Sequence, residues 1–128
     1  MKQDLSDWLS MQQYFRDQPQ LLDRLIGMLG NTLGDIHREL DQATAAGNLD
    51  ALAKVAHNIK GTALNLHTPE LARLAIQTQD QAREMAREAL TSAQQLSERL
   101  GEFIKHAAQH GQGDDGEGRS PSAEKRRP

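Results

Sequence analysis

The chain has 128 residues, a formal net charge of −3 and no cysteine. Its length suits one compact domain, and the missing thiols exclude a disulfide framework, thiol catalysis and any cysteine-held metal. Mild acidity without a basic stripe in the helical part argues against nucleic acid as a partner, and no apolar run approaches the ~20 residues of a membrane-spanning helix.

Met1-Lys2-Gln3-Asp4 opens the chain without the apolar core of a signal peptide. A cytoplasmic protein, or the soluble part of a larger one, is the expectation. Alanine, leucine, glutamine and arginine dominate, a helix-forming mixture. Residues 5–15 predict a short helix that lays Trp8, Leu9 and Phe15 over the rest as a lid. Residues 18–46 predict a long one. Pro19 suits its first turn and Gly47 stops it. Leu22, Leu25, Ile26, Leu29, Leu33, Ile36, Leu40 and Ala43 recur at three- and four-residue steps, as one apolar stripe requires.

Asn48 is the expected N-cap of the next helix, residues 49–66, whose stripe is Leu52, Val55, Ile59, Ala63 and Leu66. Thr68-Pro69-Glu70 then supplies cap, proline and acidic first turn in order. That helix is expected to bury Leu71, Leu74, Ala75, Thr78 and Ala82. A last stripe runs from Ala86 through Ala89, Leu90, Ala93, Leu96, Leu100, Phe103 and Ile104 to Ala107. No glycine or proline marks the turn expected around residues 83–86. Residues 111–128 carry one aliphatic side chain, Ala123, among Gly, Pro and charge. Such a segment cannot offset its ordering entropy by burial and is expected to be a disordered tail. No segment alternates as a strand does. Four long amphipathic helices with short connections predict an all-α, antiparallel four-helix bundle over residues 1–110, with a short N-terminal helix.

One helix carries a feature that stability does not explain. His57 lies about 150° from the centre of its helix's apolar stripe, so the imidazole is expected to face solvent. Lys60 follows at i+3 and Gly61 at i+4. Gly61 in mid-helix costs roughly 1 kcal/mol relative to alanine. Ala53 and Gly61 keep the flanks of the ring open, Lys54 and Lys60 offer positive charge to a phosphate, and Leu64 adds an apolar contact on a wet face. An exposed imidazole with cationic cover and a cleared flank suits covalent phosphoryl transfer. The plain alternative is an ordinary surface histidine.

The stretch His57-Asn58-Ile59-Lys60-Gly61-Thr62-Ala63, closed by Leu66, resembles histidine phosphotransfer (HPt) domains of multistep two-component relays. The resemblance extends in helix order across the bundle and includes Leu71-Ala72-Arg73-Leu74-Ala75. It departs where His67 replaces the family's usual glycine, and where Thr78-Gln79 stands for its Leu-Glu. It implies that His57 is the phospho-acceptor, that Lys60 helps hold the phosphoryl group, and that Gly61 gives the partner room. It implies as partners the receiver domains of response regulators and a sensor or hybrid histidine kinase. Those receivers bring their own aspartate and Mg²⁺. No phosphate-binding glycine loop and no carboxylate cluster for Mg²⁺ is legible, so the chain is expected to carry phosphate without an ATP site, and as a monomer. The competing function is a passive helical interaction module in which His57 is incidental.

Three further features stand apart. Gly27, Gly30 and Gly34 form a stripe on the second helix, read as a close approach for another backbone (a receiver's or a second copy's), as tight packing against the neighbouring helix, or as plain tolerance in a well-packed bundle. His37 is expected to be half-buried and hydrogen-bonded. His106 and His110, at i and i+4, lack a third ligand and are not expected to hold a metal.

Overall fold

The computed structural model describes residues 5–116, with side chains through residue 109. It contains five helices: α1 (Ser6–Tyr14), α2 (Pro19–Ala46), α3 (Leu49–Leu66), α4 (Pro69–Arg83) and α5 (Glu88–Gly116). No strand occurs among the described residues. α3 packs on α4, α4 on α5, α5 on α2 and α2 on α3, which closes a four-membered ring, and α1 lies against α4 and α5. The chain is therefore the expected helical bundle. The expected tail is met first by the backbone of α5, which continues to Gly116, and its remainder lies outside the described residues.

The core is built from the expected stripes. Leu40, Leu52, Leu96 and Leu100 are completely enclosed, with Leu33, Ile59, Leu74 and Phe103 around them. At roughly 1.5–3 kcal/mol for each large apolar side chain, burial of these stripes drives the assembly. Alanines at 63, 75, 82, 89 and 93 fill the remaining interface positions and are all buried.

Three of the helices end in the same way. In each, the residue past the last turn is left-handed, and two backbone hydrogen bonds run back to the carbonyls of that turn. Gly47 (φ 65°) closes α2, with Asn48 N donating to Ala43 O. His67 (φ 59°) closes α3, with Thr68 N donating to Ala63 O. Met85 (φ 59°) closes α4, with Ala86 N donating to Gln81 O. The position where the resembled family carries glycine thus keeps its left-handed backbone here with a histidine. The Asn48 side chain caps α3 as expected, accepting from Ala51 N at 3.0 Å.

Two expectations are corrected. Thr68 does not cap α4: its hydroxyl donates to Ala63 O at 3.1 Å, and α4 has no side-chain cap of its own. The start of α4 is satisfied from α1. Asp7 accepts Glu70 N on one oxygen at 2.8 Å and Leu71 N on the other at 3.0 Å. The lid also differs. Asp7, Met11 and Phe15, spaced by four, form the inward face of α1, and Trp8 meets Phe103 edge-on at 5.7 Å. Leu9 falls on the opposite side of α1 and is 56% exposed. Two further contacts tie α1 to the α3–α4 turn. Ser10 Oγ donates to His67 O at 2.9 Å, and the Tyr14 ring stacks on the His67 ring at 3.4 Å.

Side chains built at Gly27 and Gly30 would meet nothing within 4 Å, and at Gly34 only the tip of Arg38. Tight packing among the described residues is therefore not what this stripe serves. Gly101 is the glycine that close packing does require: a Cβ there would come within 3.3 Å of His37 Cε1. His37 is half-buried and hydrogen-bonded as expected, with Nε2 at 3.0 Å from Ser97 O. His106 is buried beside Trp8, while the His110 side chain lies outside the described residues.

Candidate functional site

His57 sits in the middle of α3, on the edge that faces α4, and its side chain is exposed. Val55, Ala56 and Ile59 are buried beside it, so the helix is anchored in the core immediately under the ring. A rigid helix places a reactive group more closely than a loop does.

The ring is held from below. Gln79, on α4 and only 3% exposed, brings its carboxamide to 3.1 Å from His57 Nδ1. A carboxamide can present either end. With the NH₂ group donating, Nδ1 carries the lone pair and Nε2 the proton. With the amide turned over, Oε1 accepts from Nδ1–H, and Nε2 offers its lone pair to solvent. Only the second arrangement makes the outer nitrogen nucleophilic, and the contact permits it. Nε2 has no protein partner among the described residues.

Gln79 is the neighbour of His57 that the sequence reading missed. Its signal was present as the departure at Thr78-Gln79, in the position of the family's Leu-Glu. Thr78 turns its hydroxyl to Leu74 O, 2.7 Å away, and is fully buried.

The expected neighbours fall as follows. Lys60 is half-buried on the α4 side of His57, and no ion pair occupies it among the described residues. Gly61 is exposed, and a Cβ there would face open space. Ala53 is half-buried on the same edge, one turn before His57, and Leu64 is 55% exposed two turns after it. Lys54 is drawn elsewhere: its ammonium lies 3.5 Å from Asp50 Oδ2, and its side chain lines a shallow groove between α2 and α3 with Glu39, Gln42 and Asn58. His57, Lys60, Ala53 and Leu64 therefore share the α4-facing edge, whereas Gly61, seven residues after Lys54, lies with it on the α2 side of His57.

The family model for the Hpt domain matches residues 11–110. The chain belongs to the Hpt domain family. The match covers α2 to α4, most of α5 and the end of α1, so the whole four-helix ring is included. Hpt domains are histidine phosphocarrier modules of phosphorelays, which meet receiver domains and histidine kinases. No curated protein and no solved structure matches the chain. No helix among the described residues is long and apolar enough to cross a membrane. No group of three or more carboxylate or imidazole side chains is placed to hold a metal among them.

Proposed function

We propose that this Hpt domain accepts a phosphoryl group on His57 Nε2 from the aspartate of one receiver domain and passes it to the aspartate of another. The observation that carries this reading is the pairing of an exposed His57 with a buried Gln79 at Nδ1. One ring nitrogen is fixed and the other is presented. In the forward step the Nε2 lone pair attacks phosphorus. The N–P bond forms while the P–O bond to the donor aspartate breaks, and that bond pair returns to the carboxylate. The Nδ1 proton stays in place, and the ring carries the positive charge. The second transfer is the same exchange in reverse, so the carrier divides one transfer between two carboxylates into two steps.

Lys60 is the group suited to the developing charge on the phosphoryl oxygens, because its ammonium lies on the His57 edge without an ion-pair partner. Gly61, with open space where a side chain would stand, admits the partner, and Ala53, Lys54 and Leu64 contribute its contact surface. Mg²⁺ belongs to the receiver, where it neutralises charge on the phosphoryl group. The domain itself supplies no nucleotide site, and it works as a monomer in the cytoplasm, with neither nucleic acid nor membrane as a partner.

The test is transfer from a phosphorylated receiver, followed by intact-protein and peptide mass spectrometry. One acid-labile, base-stable phosphate on His57 is expected, and His57→Gln should accept none while melting as the parent does. Phosphate retained by the Gln variant would move the acceptor elsewhere. No labelling of the parent by any receiver would favour a passive helical interaction module.

A further inference from the structure

We infer that His37 and Asp41 on α2, together with the Ser97 carbonyl on α5, form a binding site for one late first-row divalent cation such as Zn²⁺. The site spans the α2–α5 seam. The order of helices around the ring sets this seam on the far side of the bundle from the α3–α4 seam and His57.

His37 and Asp41 are one turn apart, the i, i+4 spacing by which one helix offers two ligands to one ion. Three donor atoms converge there. His37 Nε2 is 3.0 Å from Ser97 O and 3.9 Å from Asp41 Oδ2. Ligands ~2.1 Å from an ion stand roughly 3.0 Å apart at octahedral angles and roughly 3.4 Å apart at tetrahedral ones. The seam already holds nitrogen, carbonyl and carboxylate near those separations. A carbonyl oxygen has two lone pairs, so Ser97 O can meet an ion as well as a helical N–H.

The support around these ligands is built too. Ser97 Oγ donates to Asp41 Oδ1 at 2.5 Å and orients the carboxylate, as the outer partner of a metal ligand does. Gly101 lets the imidazole lie on α5: a Cβ there would come within 3.3 Å of His37 Cε1 and 3.5 Å of Nε2. The arginine beside His37 does not compete for Asp41. Arg38 pairs with Asp35, and its head lies 3.8 Å from where a Gly34 side chain would stand, on the turn before it. The His37 and Asp41 side chains are 28% and 57% exposed, so an ion reaches the site from water and keeps water on its open positions.

Loading moves one proton within the ring. As folded, Nε2–H donates to Ser97 O. An ion takes the Nε2 lone pair instead, and the ring proton sits on Nδ1. The imidazole stays neutral and the carboxylate supplies one negative charge. Imidazole nitrogen favours a late transition ion over Mg²⁺ or Ca²⁺. The competing account is a hydrogen-bonded pin between α2 and α5 that holds no ion.

The probe is Zn²⁺ alone, titrated into the untagged full chain and followed by calorimetry, imidazole nitrogen shifts and thermal melting. One ion per chain should bind, with the largest shift at His37 Nε2. The melting midpoint should climb with zinc concentration, because only the folded seam brings α2 and α5 together. Asp41→Asn keeps an acceptor for Ser97 and should fold as the parent does, yet bind at least tenfold more weakly, a loss of ~1.4 kcal/mol. His37→Gln should abolish binding. His57→Gln should bind as the parent does, and an equal concentration of Mg²⁺ should not displace the zinc. Uptake unchanged in both Asp41→Asn and His37→Gln overturns the inference. So does uptake lost in His57→Gln, which would place the ion at the exposed imidazole of α3. No saturable binding up to about 1 mM zinc also overturns it and leaves the pin. None of these outcomes bears on His57 as the phospho-acceptor, since the two seams are separate.

Discussion

Asp7 Oδ2 accepts the backbone N–H of Leu71 at 3.0 Å, although the two residues are 64 positions apart in the chain. With Glu70 N on its other oxygen, this carboxylate does for α4 what Thr68 does not. Asp7→Ala should cost about 1–3 kcal/mol, because two N–H groups at the start of α4 lose their acceptor. Thermal and urea unfolding measure it, and a loss below about 0.5 kcal/mol would mean that water replaces the carboxylate at no cost.

The same contact has a pH dependence of unusual sign for an aspartate. Burial raises the Asp7 pKa above its ordinary 3.8, against the lowering effect of the two backbone bonds and of Arg99. A raised folded-state pKa means that the folded protein holds this proton more tightly than the unfolded chain does. The stability so gained is complete below pH 3.8 and fades as pH rises through the folded-state value. Relative to Asp7→Asn, which does not titrate, the parent should therefore lose stability over that window and run parallel above it. A parent that gains stability there would show the backbone bonds outweighing burial.

Gln79 is predicted to act on the tautomer of His57. Gln79→Glu keeps an acceptor at Nδ1 and should retain phosphotransfer, with the ring proton held on Nδ1. Gln79→Leu removes the partner and should slow transfer by roughly tenfold to a hundredfold, the range seen when the second-shell partner of a metal-ligating histidine is removed. Single-turnover kinetics and the nitrogen chemical shifts of the imidazole check this together. Equal rates for Leu and Gln would leave Gln79 a packing residue.

Gly61 separates fold from function. Open space surrounds its missing side chain, so Gly61→Ala should stabilise α3 by up to about 1 kcal/mol. Gly61→Gln should melt no lower than the parent and yet transfer more slowly, since the longer side chain lies where a receiver approaches. Unchanged transfer by the Gln variant would remove the reason given for this glycine.

The two left-handed residues that are not glycine should respond differently. Met85 is 70% exposed. Met85→Gly should raise stability, because a left-handed residue with a side chain costs about 1–2 kcal/mol and glycine returns only part of that as chain entropy. His67→Gly gains the same relief but gives up the stack on Tyr14, worth about 0.5–1.5 kcal/mol for an aromatic pair. Its net gain should be smaller or absent. Parallel thermal unfolding of the two variants decides it.

The helices and their stripes were legible because burial on a bundle imposes a three-to-four-residue period, and Leu22 through Ala107 keep it. The exposed edge with His57, Lys60 and Gly61 was legible for the same reason: a polar residue off the stripe faces out, and a glycine in mid-helix is conspicuous. Gly47 announced its own turn. His67 and Met85 did not, because the same pair of backbone hydrogen bonds that closes α2 holds each of them left-handed without the residue that usually signals it. Sequence could not choose between Thr68 and Asp7 as the cap of α4, since a cap delivered from another helix has no local spacing. Nor could it assign Gln79, which reads as a polar residue within a helix until α4 is laid against α3 and its amide meets the imidazole. Local periodicity depends on neighbours in the chain and is written there. The partner of His57 and the cap of α4 are long-range contacts, decided only when the helices pack.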